Sequence, residues 1–277
     1  MPTTRLRGIS RAGALLLLAA ALAAIVILVA VTGHTVAPPG AAQTGRSDLL
    51  MYAHIVDLMR GGQGYYDAAH AELLRDGYGT RSVFNWRLPA LPWLVSLVPL
   101  TAIANALLDM AAAVGMALTF RTLEVSAGRL TALLAVACVV VSVVFVAAPN
   151  AVLFADITAG TLIFLSASAY GARLPWLGFA AALLALFCRE LAAPYAVICA
   201  FFAWHERRRW ELAGWAAGFL AFAGYFAWHY AAVQAQLGPA DGAYPYGWLQ
   251  FGGLPFVLRT AAFNGLLAFA PEWVSAI

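Results

Sequence analysis

The sequence predicts an all-α membrane protein, a polytopic bundle of about seven or eight transmembrane helices with a long extracytoplasmic loop after the first helix. Its 277 residues are 63% apolar, only 10% are charged, and the mean hydropathy is +0.81. Soluble domains carry about 25% charged residues, and one of this size could not bury so much apolar surface. Long apolar runs must be helical in a bilayer, because a helix pairs its backbone polar groups within one segment.

The candidate spans are apolar runs separated by short loops. The first follows a basic flank, and at about 20 residues it has the length of a retained span rather than of a cleaved signal peptide. The fifth and sixth are only about 14 residues each, so they predict a hairpin around the turn Arg189–Glu190. The spans are predicted at about 12–32, 101–120, 130–148, 151–170, 175–188, 191–204 and 212–233, with an eighth candidate from about 255 to the end.

Arginine in the short loops predicts the orientation, because cytoplasmic loops carry an excess of basic residues. With the amino terminus in the cytoplasm, Arg121, Arg129, Arg173 and the run 207–209 all fall on the cytoplasmic side. The chain is therefore predicted to be a multi-pass protein of the inner (plasma) membrane. Residues 1–277 are interpreted as a single transmembrane domain.

The extracytoplasmic loop 33–88 holds five of the thirteen acidic residues and three of the five histidines. A loop of this length is usually functional or disordered, and this one has helix signals. Ser47 or Asp48 can cap a helix that runs to about Arg60, with an apolar face and a polar stripe suited to the membrane surface. A second short helix is predicted with Asp67 as its cap. The loop is therefore expected to contain two short helices, the first of them at the membrane surface, and to be a functional part of the chain.

Local motifs exclude several classes of function. The chain has no phosphate-binding P-loop, no dinucleotide fingerprint, no zinc-protease motif and no hydrolase nucleophile elbow. The small net charge of +3 argues against a nucleic-acid partner. No cofactor and no metal ligand is assigned, and a requirement for a divalent metal is left open.

Three short segments between residues 47 and 92 carry a resemblance to a known superfamily. Asp48 follows the first span, with Tyr52 four residues later; residues 62–66 read Gly-Gln-Gly-Tyr-Tyr, and residues 88–92 return the chain to the bilayer with two prolines. This arrangement resembles the membrane-embedded GT-C glycosyltransferases. The resemblance implies an enzyme that moves a hexosyl or pentosyl group from a polyprenyl-phosphate donor in the membrane to an extracytoplasmic glycan, lipid or protein acceptor.

The resemblance also implies roles for individual residues. Asp48 is the candidate catalytic residue, a general base that takes the proton of the attacking acceptor hydroxyl, and a single displacement would invert the anomeric centre. Guanidinium groups bind phosphate oxygens in a fork, which makes arginines on the outward side candidates for the lipid phosphate. The candidate substrate-binding residues are Tyr52, His54, Tyr66, Arg81, Arg87, Asp156, Arg189 and Glu190.

Plainer interpretations stay open. Asp48 could serve only as a helix cap, Arg87 as an interfacial anchor, and Arg189 could simply pair with Glu190. For the whole chain, the alternatives are a multi-span transporter or permease, which the interrupted hairpin 175–204 favours, and a non-catalytic subunit of a cell-envelope complex. A meeting of Asp48, Arg87 and Arg189 in one outward cavity would favour sugar transfer, whereas a path with gates on both faces would favour transport.

Overall fold

The computed structural model describes residues 48–242 and the isolated positions 16, 19 and 23, which are helical and exposed. Apart from these three positions, the predicted first span at 12–32 lies outside the described residues, as do loop residues 33–47 and the eighth candidate span. Within the described residues every regular element is helical, so the prediction of an all-α chain is confirmed at that level.

Nine α-helices follow one another along residues 48–242. Four short 3₁₀ turns, at Val83–Asn85, Val144–Ala147, Ala151–Leu153 and Glu190–Ala192, lie between them. The helices are α1 (Asp48–Arg60), α2 (Tyr65–Arg75), α3 (Ala90–Ser96), α4 (Thr101–Ala127), α5 (Arg129–Val143), α6 (Ala155–Gly171), α7 (Pro175–Cys188), α8 (Ala193–His205) and α9 (Arg209–Gln236).

Among the described helices, α4 has both the length and the apolar composition needed to cross a membrane. Its 27 residues span about 40 Å at 1.5 Å per residue, more than the hydrocarbon core of about 30 Å. Arg129–Val140 and Pro175–Cys188 are apolar but shorter. Residues 48–242 therefore contain one candidate span by these criteria, and a bundle of seven or eight spans is not established.

The helix at the start of the loop has the predicted bounds, whereas the second loop helix starts earlier than predicted. Gly64 in an extended conformation is the cap of α2, and Asp67 lies in its first turn. An acidic side chain is favourable there because it faces the positive end of the helix dipole. The prediction of Asp67 as the cap is therefore wrong by three positions.

Helices α6 and α7 form an antiparallel hairpin. Asp156 at the start of α6 pairs with Arg189 after α7, and at the other end Tyr170 packs on Gly178. A Cβ atom at Gly178 would lie 2.7 Å from the Tyr170 ring, so this close approach requires glycine. Helix α4 lies parallel to α6: the Asn105 side chain accepts a hydrogen bond from the backbone N–H of residue 152, and the hydroxyls of Thr119 and Ser168 are hydrogen-bonded to each other.

This packing sorts the connecting segments into two ends. The loop end contains α1, α2, the segment 76–89 and the turns at 149–154 and 189–192. The hairpin end contains the turns at 128, 172–174 and 206–208. Helix α9 joins the two, because Glu211 in its first turn accepts a hydrogen bond from Tyr170 and Gln236 at its last residue donates one to Asp67.

Large apolar side chains remain exposed along the outer helix faces. On α4 the exposed residues recur every three or four positions, which places them on one stripe. A soluble monomer rarely exposes so many large apolar side chains side by side. They include Ile103, Leu107, Met110 and Val114 on α4, Val197, Ile198 and Phe201 on α8, and Leu220 and Trp228 on α9.

Candidate functional site

Asp48 is the first residue of α1, and its carboxylate has a specific partner. The hydroxyl of Tyr78 donates a hydrogen bond to Asp48 Oδ1. Burial raises the pKa of Tyr78, and the hydrogen bond to Asp48 raises it further, so the phenol stays protonated and remains a donor. The carboxylate is thereby held in one orientation at the amino-terminal end of α1.

Tyr52 lies one turn after Asp48 and contacts Arg87. The Nε of Arg87 donates to the Tyr52 hydroxyl at 3.0 Å, and the guanidinium carbon lies 5.8 Å from the centre of the Tyr52 ring. Burial raises the pKa of Tyr52, Arg87 opposes that shift, and the negative charge of Asp48 adds to it. Asp48, Tyr52 and Arg87 are thus electrostatic neighbours.

Four charged side chains continue from Arg87 into the helix bundle, and we call them the ion-pair cluster: Arg87, Asp156, Arg189 and Glu190. Arg189 donates through Nε to Asp156 Oδ1 at 2.9 Å and through Nη1 to Glu190 Oε1 at 2.9 Å. The second Asp156 oxygen lies 3.9 Å from Arg87 Nη2. One carboxylate therefore lies between two guanidinium groups.

The members of the ion-pair cluster differ sharply in exposure. The Arg189 side chain is only 6% exposed and that of Glu190 13%, whereas Asp156 is 54% exposed. Arg87 keeps 22% of its side chain in contact with solvent. Burial disfavours the charge of Arg87, but Tyr52 and Asp156 outweigh it and raise its pKa. The cluster thus presents a partly open face with two permanently charged guanidinium groups behind it.

Five predicted residues form one connected group at the loop end: Tyr52, Arg87, Asp156, Arg189 and Glu190. Asp48 lies near this group, where its charge acts on Tyr52. The other three predicted residues lie elsewhere in the loop. His54 is half-exposed, and its Nδ1 lies 2.8 Å from the buried carboxylate of Glu72, which also pairs with Arg75. His54 thus belongs to a separate polar group between α1 and α2.

Arg81 contacts the segment 237–242 that follows α9, which we call the strap. The Nε of Arg81 donates to the backbone oxygen of Asp241 at 3.0 Å. The Asp241 carboxylate lies 2.8 Å from Nε2 of His70, whose ring stacks on Trp86 at 5.4 Å. The backbone of Thr80 donates to Gly242. Arg81 therefore fixes the strap to the loop and does not join the ion-pair cluster.

Tyr66 lines an aromatic cavity of about 470 Å³ between α3 and α9. Its hydroxyl lies 3.0 Å from Nδ1 of His229. Tyr65, the neighbouring wall residue, donates a hydrogen bond to the backbone oxygen of Arg87, so the cavity adjoins the ion-pair cluster. The lining residues are Tyr65, Tyr66, Pro89, Ala90, Trp93, Tyr225 and Trp228.

Sequence reasoning missed several residues that the fold brings to this end. Tyr78 lies between two glycines without any helical or strand pattern, and Tyr225 lies in an apolar run 135 residues after its partner Ala90. Such pairings across the chain leave no local signal. No group of three or more His, Cys, Asp or Glu side chains able to hold a metal occurs within residues 48–242.

No protein-family profile, no curated protein and no solved structure matches this chain.

Proposed function

We propose that the chain is a multi-span membrane glycosyltransferase of the GT-C type, which moves a sugar from a polyprenyl-phosphate donor to an extracytoplasmic acceptor. The observation that carries this proposal is the assembly of Asp48, Arg87, Asp156 and Arg189 at one end of the bundle, beside an aromatic cavity. A base and two phosphate-binding cations are the groups this transfer requires.

The exposed apolar stripes and the sorting of the loops support the membrane part of the proposal. Lipid would cover the stripes on α4, α8 and α9, which water solvates poorly. The arginine-rich turns lie at the hairpin end, and the long polar loop lies at the other. This distribution agrees with an amino terminus in the cytoplasm and a loop end that faces outward. Helices α7 and α8, of 14 and 13 residues, form a second, interrupted hairpin in this arrangement. Its turn, at 189–192, lies at the loop end.

The chemistry assigns a step to each group. The acceptor hydroxyl oxygen forms a bond to the anomeric carbon, while the bond from that carbon to the phosphate oxygen breaks and the phosphate leaves with the electron pair. Asp48 takes the hydroxyl proton, and the Tyr78 hydroxyl keeps its carboxylate oriented. Arg87 and Arg189 stabilise the charge of the departing phosphate. Attack from the face opposite the phosphate inverts the anomeric centre.

The aromatic cavity supports a lipid-linked donor. Five of its seven lining residues are aromatic, and Tyr65 connects its wall with the backbone of Arg87. A prenyl chain lying in it would place its phosphate beside the ion-pair cluster. Asp156, the exposed carboxylate between the two arginines, neutralises them until the donor phosphate competes for the same hydrogen bonds.

The test is transfer of labelled sugar from a panel of polyprenyl-phosphate donors in membranes that contain the protein. Asp48→Asn should lower the rate by about 10²–10⁴-fold, the usual contribution of a general base. Asp57→Asn is the matched control, since Asp57 lies in the same helix with a 65% exposed side chain that pairs only with Arg60 among the described residues. Equal rates for both variants would remove Asp48 from the mechanism.

A transporter is the second candidate, favoured by the interrupted hairpin α7–α8 with a buried charge at its turn. Transport predicts substrate movement across sealed vesicles without formation of a glycosidic bond. Uptake with no transfer from any donor in the panel would contradict the glycosyltransferase proposal.

A further inference from the structure

Two turns at the hairpin end have the same construction. Helix α6 ends in a turn in which the backbone N–H of Leu174 donates to Ala169 O at 2.8 Å and Arg173 has a φ of 62°. Helix α8 ends in the same way: Arg208 N donates to Ala203 O at 2.8 Å, and Arg207 has a φ of 57°. Both turns have the Schellman hydrogen-bond pattern with a left-handed residue after the helix.

Arginine is an unfavourable residue at both left-handed positions. Glycine is the usual choice there, because a Cβ atom clashes with the following carbonyl oxygen in that conformation. Neither guanidinium offsets this cost through a contact: the side chains of Arg173 and Arg207 are exposed and make no hydrogen bond or ion pair with any described residue. The backbone disfavours arginine at both positions and no described residue uses its side chain, so these two basic groups are left to set the orientation of the chain and to bind a ligand outside it.

A tryptophan follows each of these arginines by three positions. Trp176 and Trp210 are the second residues of α7 and α9, and they are 62% and 82% exposed. Indole rings favour the boundary between hydrocarbon and headgroups, and guanidinium groups bind phosphate oxygens. Each turn therefore presents a phosphate-binding group next to an interfacial anchor.

The charge around the two turns is net positive. Three acids lie at this end within the described residues: the exposed Glu124 near the end of α4, and Glu206 and Glu211, which are both paired with Arg208. Six arginines of the same end outnumber them. Among the described residues, the exposed arginines of this end are Arg121, Arg129, Arg173, Arg207 and Arg209.

We propose that the hairpin end is a binding surface for anionic phospholipid headgroups, with Arg173 and Arg207 as the residues that contact the lipid phosphates. The inference rests on the membrane location proposed above and is independent of sugar transfer. Paired Arg and Trp side chains on two adjoining turns fit lipids of the leaflet that this end faces, and the net positive charge favours anionic over neutral headgroups.

The experiment uses the full chain purified in a neutral detergent, titrated with phosphatidylglycerol or phosphatidylcholine, with thermal unfolding and native mass spectrometry as readouts. The double variant Arg173→Gly with Arg207→Gly should bind phosphatidylglycerol roughly tenfold more weakly, because two headgroup contacts are lost. Its Tm without added lipid should stay the same or rise, because the left-handed conformation suits glycine. The double lysine variant, which keeps the charges, should bind like the wild type.

Unchanged phosphatidylglycerol binding by the glycine variant would overturn the proposal. A fall in its Tm without lipid would also overturn it, since that result assigns the arginines a purely structural role. Equal binding of phosphatidylcholine and phosphatidylglycerol by the wild type would exclude headgroup recognition. Carbonate extraction of membranes tests the location separately: a chain released by carbonate refutes the membrane proposal itself, whatever lipid it binds in detergent.

Discussion

The two ends of the bundle place arginine in opposite surroundings. At the loop end each arginine of the described chain has a defined partner: Arg60, Arg75, Arg81, Arg87 and Arg189 contact carboxylates, a tyrosine or backbone oxygens. At the hairpin end only Arg208 is paired within the described residues. The difference separates arginines whose position is determined by the fold from arginines that remain available to a ligand.

Physical chemistry explains what each arrangement can do. A buried charge is costly unless it is paired and hydrogen-bonded, so Arg189 is held in one geometry by Asp156 and Glu190. A fixed geometry is what catalysis needs. An exposed arginine stays hydrated, so its charge carries no desolvation penalty. It is attracted to any anionic surface within a Debye length. The loop end is therefore suited to a precise site and the hairpin end to a diffuse contact.

The strongest test of this comparison removes one arginine from each end. Arg189→Gln leaves the nearly buried Glu190 without its cation and should lower the free energy of unfolding by about 3 kcal/mol. Arg209→Gln, at an exposed position, should change it by less than about 0.5 kcal/mol. Denaturant unfolding in detergent measures both.

The second substitution Glu190→Gln should recover part of the loss caused by Arg189→Gln, because it removes the unpaired charge. Similar small effects of the two single variants would mean that the ion-pair cluster is solvated, and the distinction between the ends would fail.

A smaller change in stability is expected at the hairpin end, where close packing of α6 and α7, rather than an ion pair, is tested. Gly178→Ala should destabilise the chain by about 2 kcal/mol, because the new Cβ atom would lie 2.7 Å from the Tyr170 ring. Tyr170 cannot move freely, since its hydroxyl donates to Glu211. Gly160→Ala in the facing helix is the control: nothing lies within 4 Å of that Cβ position, and alanine should stabilise the helix by up to about 1 kcal/mol. Thermal unfolding should therefore shift in opposite directions, and a shift in the same direction would contradict the close packing.

The smallest expected effect is the loss of stability of the strap, at the loop end, in acid. Burial would raise the pKa of Asp241, but Thr80, the N–H of Gly238 and His70 together lower it to about 2. Because the pKa is lower in the folded protein, this carboxylate stabilises the strap above its ordinary pKa of 3.8, and the contribution is lost as the pH falls toward 2. The Thr80 amide bonds to Gly242, and its protection factor against hydrogen exchange should fall over that interval.

Asp241→Asn should abolish the acid dependence of this protection factor. Asp67→Asn is the comparison, since Asp67 binds Gln236 just before the strap but has no contact with Thr80 among the described residues. An acid step that persists in Asp241→Asn would assign it to another carboxylate.

The observed helix bounds show where the local sequence is sufficient to predict the start and end of a helix. The predicted α1 and the predicted fifth span coincide with Asp48–Arg60 and Pro175–Cys188, because a clear apolar pattern and a proline at the start define them locally. The predicted span at 151–170 starts too early, since Ala151–Leu153 is a 3₁₀ turn. The Asn105 side chain on α4 accepts a hydrogen bond from residue 152, and no local pattern reports a contact across 47 residues.

The sequence by itself determined that the described chain is helical and which side chains have the chemistry for a site, because composition and periodicity are local properties. Only the tertiary structure decided which of these candidates meet. It joined Arg87 to Asp156 and Arg189 while it directed Arg81 to the strap and His54 to Glu72. Burial and pairing depend on residues from distant helices, so the partner of a charged side chain is settled by packing and not by its neighbours in the sequence.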